Sequence, residues 1–179
     1  MNKNTVLAQL AHYQPLDAEE AAFLPRLQNF LAQHDAFWQR STPEGHLTGS
    51  AWILSPDHRQ VLLIHHAKLD RWFQPGGHAD DTDADLCAVA RREAGEECGL
   101  TDLRLLDTAL FDLDIHLIPA KGDEPAHWHY DLRYAFEVSD MAAVQHDAVE
   151  IKAFRWVPVE TLLTPETPAS LRRMAIKTT

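Results

Sequence analysis

Residues 91–100 read RREAGEECGL, and they give the clearest indication of the fold. Apolar positions upstream of it follow helical spacing and predict a central helix from about residue 84 to residue 98. Gly99 suits the left-handed position that follows a helix, and Leu100 is placed to pack back onto the last turn. The sequence therefore predicts a clearly delimited helix whose final turns carry acidic side chains.

The acids at the end of this helix lie close together. At about 100° per residue, Glu93, Glu96 and Glu97 share an arc of roughly 100° that continues the inward apolar stripe. The helix dipole disfavours negative charge at this end, and Arg92 alone cannot neutralise three carboxylates. One interpretation is a solvated acidic helix end. The other is a bound divalent cation, and hard oxygen ligands favour Mg²⁺ or Mn²⁺.

The stretch WFQPGGH at residues 72–78 favours the cation. Two adjacent glycines after a predicted strand allow close backbone approach and leave carbonyl groups free. Together, the two stretches resemble the box of the Nudix hydrolases. That box runs G, five residues, E, seven residues, then R-E-U-x-E-E-x-G-U, where U is aliphatic. Residues 92–100 match its second half, and Gly77 stands at its first glycine.

The loop inside this box carries one extra residue. Gly77 and Arg92 are fifteen positions apart, where the box has fourteen. Counting forward from Gly77 places Asp83 at the first glutamate of the box, whereas counting back from Arg92 gives position 84, beside Asp85. An aspartate therefore replaces that glutamate, and its register is left open.

The resemblance implies a hydrolase that cleaves a diphosphate linkage in a nucleoside diphosphate-X compound, with water attacking phosphorus and divalent cations assisting. It implies four metal ligands: Glu93, Glu96, Glu97 and the carbonyl of Gly76. Glu93 and Glu97 are the expected catalytic acids, Glu93 being the first choice for the general base. Arg92 is expected to orient the glutamates through ion pairs.

A later glutamate is a further expected metal ligand. Members of the family often add one from a loop before the last strand, and Glu150 stands at that place in the sequence. A solvated loop acid is the alternative for this residue.

The rest of the chain predicts an α/β fold. Strand-like runs occur at residues 51–54, 61–64 and 154–157, and a helix is predicted near residues 171–176. Two alternating strands, near residues 111–117 and 128–136, predict a hairpin. A mixed sheet between helices follows, which is the α/β/α sandwich that the resemblance implies.

The hairpin gathers polar residues on one face. The predicted register pairs His116 with His129, Asp114 with Asp131 and Asp112 with Arg133. One interpretation is a wall of a phosphate pocket or a second metal site. The interpretation preferred from the sequence is an exposed face held by cross-strand charge pairs.

Substrate contacts are expected near the glycine pair and the aromatic residues. His78 follows the glycines directly and is expected at the mouth of the site. Trp72 is placed to stack on a flat group, although core packing is the more common role of such residues. The residues expected to contact substrate are His78, Gly77, His129 and Trp72.

Residues 1–45 are predicted to form a helical extension, and residues 46–179 the Nudix domain. Pro25 is expected to kink or divide the helical pattern. The extension could serve as a lid, a dimer surface or packing, so a homodimer is left open.

Composition limits the partners and the location of the protein. The 27 acidic and 16 basic residues give a net charge of −11, which disfavours broad nucleic-acid binding. No apolar run is long enough for a membrane helix, and no signal peptide is recognisable, so a cytoplasmic protein is expected.

Two other functions remain from the sequence. A non-catalytic Nudix-fold sensor would bind a nucleotide without cleaving it. A diphosphate isomerase shares the fold, but it would need a cysteine in the pocket. Both cysteines, Cys87 and Cys98, belong to the predicted central helix.

Overall fold

A computed structural model describes residues 1–67, 70–145 and 151–179 of the chain. The helices are α1 (Lys3–His12), α2 (Ala18–Gln33), α3 (Leu86–Cys98) and α4 (Ala169–Thr178). The strands are β1 (Gly45–Leu54), β2 (Gln60–His66), β3 (Arg71–Phe73), β4 (Gly76–His78), β5 (Leu103–Leu105), β6 (Asp112–Ile118), β7 (His127–Val138) and β8 (Ile151–Pro158). Among the described helices, none combines the length and apolar character needed to cross a bilayer.

One mixed sheet contains all eight strands. Its main path runs β3-β2-β1-β7-β5, while β4 pairs with β1, β6 with β7 and β8 with β2. The long central strands β1 and β7 are parallel, and the pairs around them are antiparallel. The predicted hairpin is confirmed, with the register that was expected, since Asp112 lies opposite Arg133 and His116 opposite His129.

Helices cover both faces of the sheet. Alternate residues of β1, such as Leu47 and Ala51, share one core with apolar side chains of α2 and α3. The opposite face carries Trp52 and packs against Leu171 and Met174 of α4. Burial of apolar surface on both sides therefore produces the predicted α/β/α sandwich.

The extension packs on the sheet. Phe30 of α2 stacks on Tyr130 of β7, with ring centroids 4.3 Å apart, and apolar residues of α1 and α2 belong to the same core as α3. Helix α2 continues through Pro25 without a break. The helical character predicted for residues 1–45 ends earlier than expected, because α2 stops at Gln33 and turns follow it.

The polar face of the hairpin is buried, which overturns the interpretation of an exposed face. Asp112, Asp131 and Arg133 are each at most 3% exposed. Their charges are paired, since Arg133 contacts Asp131 at 2.7 Å and Asp112 at 3.1 Å. The cross-strand charge pairs were thus predicted correctly, but alternation alone did not show that α4 covers them.

Candidate active site

The candidate site lies between helix α3 and the short strand β4. Asp85 caps α3, because its side chain accepts a hydrogen bond from the N–H of Ala88 at 2.8 Å. At the other end Gly99 has φ of 68°, and the N–H of Leu100 donates to the carbonyl of Ala94. This is the predicted left-handed helix end. The two ends fix where the acidic turns of α3 stop.

The glycines of β4 let the helix approach closely. A side chain at Gly77 would place its Cβ 2.6 Å from the carboxylate of Glu93. The N–H of Gly76 donates to Glu97 at 3.0 Å, and Glu97 is only 4% exposed. Ala51 donates to the carbonyl of Pro75. Gly76, which lies opposite Ser50, therefore occupies a non-hydrogen-bonded position of the ladder, where its carbonyl points away from β1.

Arg92 connects the parts of the site. Its guanidinium contacts Glu93 and Glu96, each at 2.9 Å, and donates to the carbonyl of His78 at 2.7 Å. Asp83 also accepts from it at 3.0 Å. Desolvation lowers the pKa of Arg92, but the hydrogen bond with Asp83 and the charge of Glu93 outweigh it, so the pKa lies above its usual value.

The contact with Arg92 indicates which of two aspartates replaces the first glutamate of the Nudix box. Asp83 contacts Arg92, whereas Asp85 caps the helix. The extra residue is absorbed before the helix, where the N–H of Asp80 donates to the side chain of Asp83 at 2.9 Å.

The donor set suits a hard divalent cation. Glu93, Glu96 and Glu97 offer only oxygen, which Mg²⁺ and Mn²⁺ prefer, and the single charge of Arg92 faces three carboxylates. Two of the glutamates meet at Arg92, while Glu97 lies at Gly76. Within the described parts of the chain, these three acids do not form a group whose ligand atoms all lie within 4.8 Å.

The remaining predicted residues separate into two places. His78 and His129 come together, with ring centroids 5.0 Å apart. Trp72 lies on β3, away from these two histidines. Its ring stacks on that of His65, with ring centroids 4.9 Å apart, and the guanidinium carbon of Arg155 lies 4.0 Å from the centroid of the Trp72 ring. Glu150 lies outside the described residues.

Sequence reasoning missed His46 of β1. Its ring lies 4.8 to 5.0 Å from those of His78, His127 and His129. Burial and, to a smaller extent, the neighbouring histidines together lower the pKa of His46 to about 3 and that of His129 to about 2. The sequence shows that polar His46 alternates with apolar Leu47, but it does not show that β1 pairs in parallel with β7.

The protein is thus an α/β/α sandwich in which an acid-rich helix end meets a glycine pair. A family model described as the NUDIX domain matches residues 45–176. The chain therefore belongs to the NUDIX family, and the prediction of a Nudix hydrolase is confirmed. Nudix hydrolases generally use divalent metals.

Solved structures show the same fold. The chain is similar to the C. elegans Ap4A hydrolase in a binary complex, with 19% identity and a TM-score of 0.57, over 73% of this chain and 93% of that one. The chain is also similar to the MutT protein from Methanosarcina mazei Go1, with 20% identity and a TM-score of 0.53, over 76% of this chain and 94% of that one. A third similar structure is the NUDIX domain of Shewanella oneidensis NrtR complexed with ADP ribose, with 19% identity and a TM-score of 0.53, over 84% of this chain and 93% of that one. No curated protein matches the chain.

Proposed function

We propose that this Nudix hydrolase cleaves the diphosphate linkage of a nucleoside diphosphate-X compound in a reaction that depends on Mg²⁺ or Mn²⁺. The main support for this proposal is the contact of two α3 carboxylates with the glycine pair. Glu97 accepts from the N–H of Gly76, and Glu93 lies directly against Gly77. This contact holds the acids of one helix against the half-buried backbone of the glycine pair, where a phosphate chain and its cations fit.

Each residue has a proposed role in the reaction. The metal ligands are Glu93, Glu96, Glu97, the Gly76 carbonyl and, from the sequence alone, Glu150. When bound, a divalent cation polarises the phosphoryl group and lowers the pKa of its water. Glu93 accepts the proton of the attacking water, and Arg92 orients Glu93 and Glu96 through its ion pairs.

The substrate is proposed to be a small nucleotide. The descriptions of two similar structures name an Ap4A hydrolase and a complex with ADP ribose. Ap4A and ADP ribose are therefore the first compounds to test. We propose His78, Gly77, His129 and Trp72 as substrate contacts. A cytoplasmic location and a homodimer stay predictions from the sequence.

Glutamate substitutions test the hydrolase. We expect Glu97→Gln and Glu93→Gln to lower Mg²⁺-dependent product release from ADP ribose or Ap4A by at least about 100-fold, because each removes a charge that binds the cation. Both variants should keep a cooperative thermal transition. Glu166→Gln, at an exposed position, is the matched control and should leave turnover unchanged. Wild-type turnover in both site variants contradicts the assignment.

A nucleotide-binding sensor is the second candidate function. The similarity to a NUDIX domain complexed with ADP ribose favours testing it. Tight binding of ADP ribose without product release, with both cations, would support the sensor and contradict the hydrolase.

An isomerase that uses a cysteine nucleophile is disfavoured. Burial and, to a smaller extent, a nearby acid raise the pKa of Cys98 to about 12 and that of Cys87 to about 11. Both thiols are therefore protonated near neutral pH, and the thiolate is the nucleophilic form.

A further inference from the structure

Three histidines meet on the face of the sheet that lies opposite to α3. His46 of β1 is paired in register with His129 of β7, and His127 lies two residues earlier on the same face of β7. Leu47 and Gly49 point toward α3, so the alternating side chain of His46 points away from it. We call His46, His127 and His129 the histidine cluster.

The surroundings of His46 distinguish it from the other two members of the histidine cluster. It is 1% exposed, and neither of its ring nitrogens has a hydrogen-bond partner among the described residues. Leaving buried polar atoms without partners costs about 1 to 3 kcal/mol for each group. A metal ion bound through one of these nitrogens would give that buried atom a partner.

His127 and His129 present their nitrogens to the same point. The Nδ1 of His127 lies 2.9 Å from the carbonyl of Pro125, which can only accept, so Nδ1 carries the proton and Nε2 keeps its lone pair. A backbone carbonyl that orients an imidazole in this way is the usual support of a metal-binding histidine.

The distances match metal coordination. The Nε2 atoms of His127 and His129 are 3.3 Å apart. Two ligands at about 2.0–2.1 Å from a tetrahedral Zn²⁺ are themselves separated by about 3.3 Å. One ligand atom from each residue of the histidine cluster lies within 4.8 Å of the others. Bringing a ring nitrogen of His46 to the same spacing would complete three ligands around one centre.

We propose that the histidine cluster binds a divalent transition-metal ion of the Zn²⁺ class, at a site separate from the carboxylates of α3. Imidazole ligands favour zinc, whereas the oxygen ligands of Glu93 and Glu97 favour Mg²⁺. The carboxylate of Glu124 lies 3.9 Å from the Nε2 of His127 and adds negative charge beside the cation. The ion would join the first residues of β1 to those of β7. The site shares His129 with the proposed substrate contacts, but metal binding there is tested independently of hydrolysis.

Metal binding by the whole protein tests the proposal. Protein without a histidine tag is stripped with a chelator and titrated with Zn²⁺ by calorimetry, and its metal content is then measured. We expect about one tightly bound zinc ion per chain and a higher melting temperature with zinc. Substitution with Co²⁺ should give the visible absorption of a cobalt ion bound by imidazoles.

Two variants separate a metal ligand from a structural histidine. We expect His46→Leu and His129→Ala each to weaken zinc binding by more than about 100-fold, since loss of supporting contacts alone costs 10- to 100-fold. Metal-free His46→Leu should be at least as stable as metal-free wild type, because it removes buried polar atoms without partners. A marked loss of stability in that variant before metal is added would overturn our interpretation of His46.

Two control variants place the ion. His12→Ala, at an exposed histidine of α1, should bind zinc as the wild type does. Glu93→Gln should also keep tight zinc binding even where hydrolysis is lost, so the two metal sites are tested separately. The proposal is overturned if no tight zinc is found, if His46→Leu binds zinc like the wild type, or if Glu93→Gln abolishes zinc binding.

Discussion

Gly77 shows how one missing side chain shapes the candidate site. Its Cα lies against the carboxylate of Glu93, and a Cβ would come within 2.6 to 2.7 Å of three atoms of that group. Gly76 differs, because a Cβ there would lie 2.7 Å from the backbone Cα of Ser50. The first glycine of the pair therefore serves the packing of two strands, and the second leaves room for Glu93.

We predict that Gly77→Ala displaces the Glu93 carboxylate and leaves the fold intact. The end of a glutamate side chain moves more easily than backbone, so the melting temperature should change by no more than a few degrees. Hydrolysis with Mg²⁺ should fall by at least about 10-fold, mainly in kcat, since a misplaced catalytic group costs this much or more. Steady-state kinetics and a thermal melt check both parts, and wild-type kcat would contradict the role given to Gly77.

Helix α3 shows how local sequence delimits an element. Asp85 caps its start and Gly99 its end, and both signals are readable in the sequence. Gly95 lies inside the helix, where glycine costs about 1 kcal/mol relative to alanine. A Cβ at Gly95 would meet only the carbonyl of Leu100, at an ordinary 3.7 Å. The structure therefore gives no steric reason for glycine at this position.

We predict that Gly95→Ala stabilises the protein by about 0.5 to 1 kcal/mol, because alanine restricts the unfolded chain and fits the helix. Urea unfolding should show a higher midpoint with an unchanged slope. This variant is also the matched glycine-to-alanine control for Gly77→Ala, since its hydrolysis should equal that of the wild type. A lower midpoint would show that α3 uses this glycine in a way that its contacts do not reveal.

Across the whole molecule, a buried charge network joins both helical layers at the start of β6. Asp112 accepts from Arg173 and Lys177 of α4, each at 2.8 Å, and contacts Arg133 of β7 at 3.1 Å. Glu20 of α2 contacts the same lysine. Burial raises the pKa of Asp112, but the hydrogen bond from Arg173 and the charges of the three cations outweigh it, so the pKa lies below its usual value.

We predict that Asp112→Asn lowers the free energy of unfolding by about 3 to 5 kcal/mol at pH 7, because it leaves buried cations without their shared anion. A lowered carboxylate pKa gives stability that is present above the unfolded pKa of about 3.9 and is lost as pH falls through the folded pKa. The difference between wild type and variant should therefore shrink below about pH 4. Urea unfolding between pH 7 and pH 3 measures it, and a constant difference contradicts the prediction.

The acidic side chains that face this network belong to several elements. They are Glu20, Asp112, Asp114 and Asp131. Asp114 also has a lowered pKa, because the charge of Arg133 and a hydrogen bond with His116 outweigh its burial. Asp114→Asn therefore provides a second variant, with which the contribution of Asp112 can be separated from that of its neighbour.

The local features of this protein follow from short stretches of its amino-acid sequence. Periodicity predicted α3 and the hairpin, because side-chain direction repeats every 3.6 residues in a helix and every two in a strand. The helix end at Gly99 and the Nudix box were readable because a few neighbouring residues carry them. The same alternation gave the pairing of His116 with His129, since a hairpin sets its register through a nearby turn.

Contacts between distant residues, in contrast, depend on the folded chain as a whole. The parallel pairing of β1 with β7 brings His46 beside His129 across more than eighty positions, and no local pattern specifies that register. Likewise, α4 buries the polar face of the hairpin, although alternation alone is equally compatible with a solvated face. Pairing between distant strands and the covering of one face by a helix depend on the burial of apolar surface throughout the chain, and that energy is not encoded in any short segment.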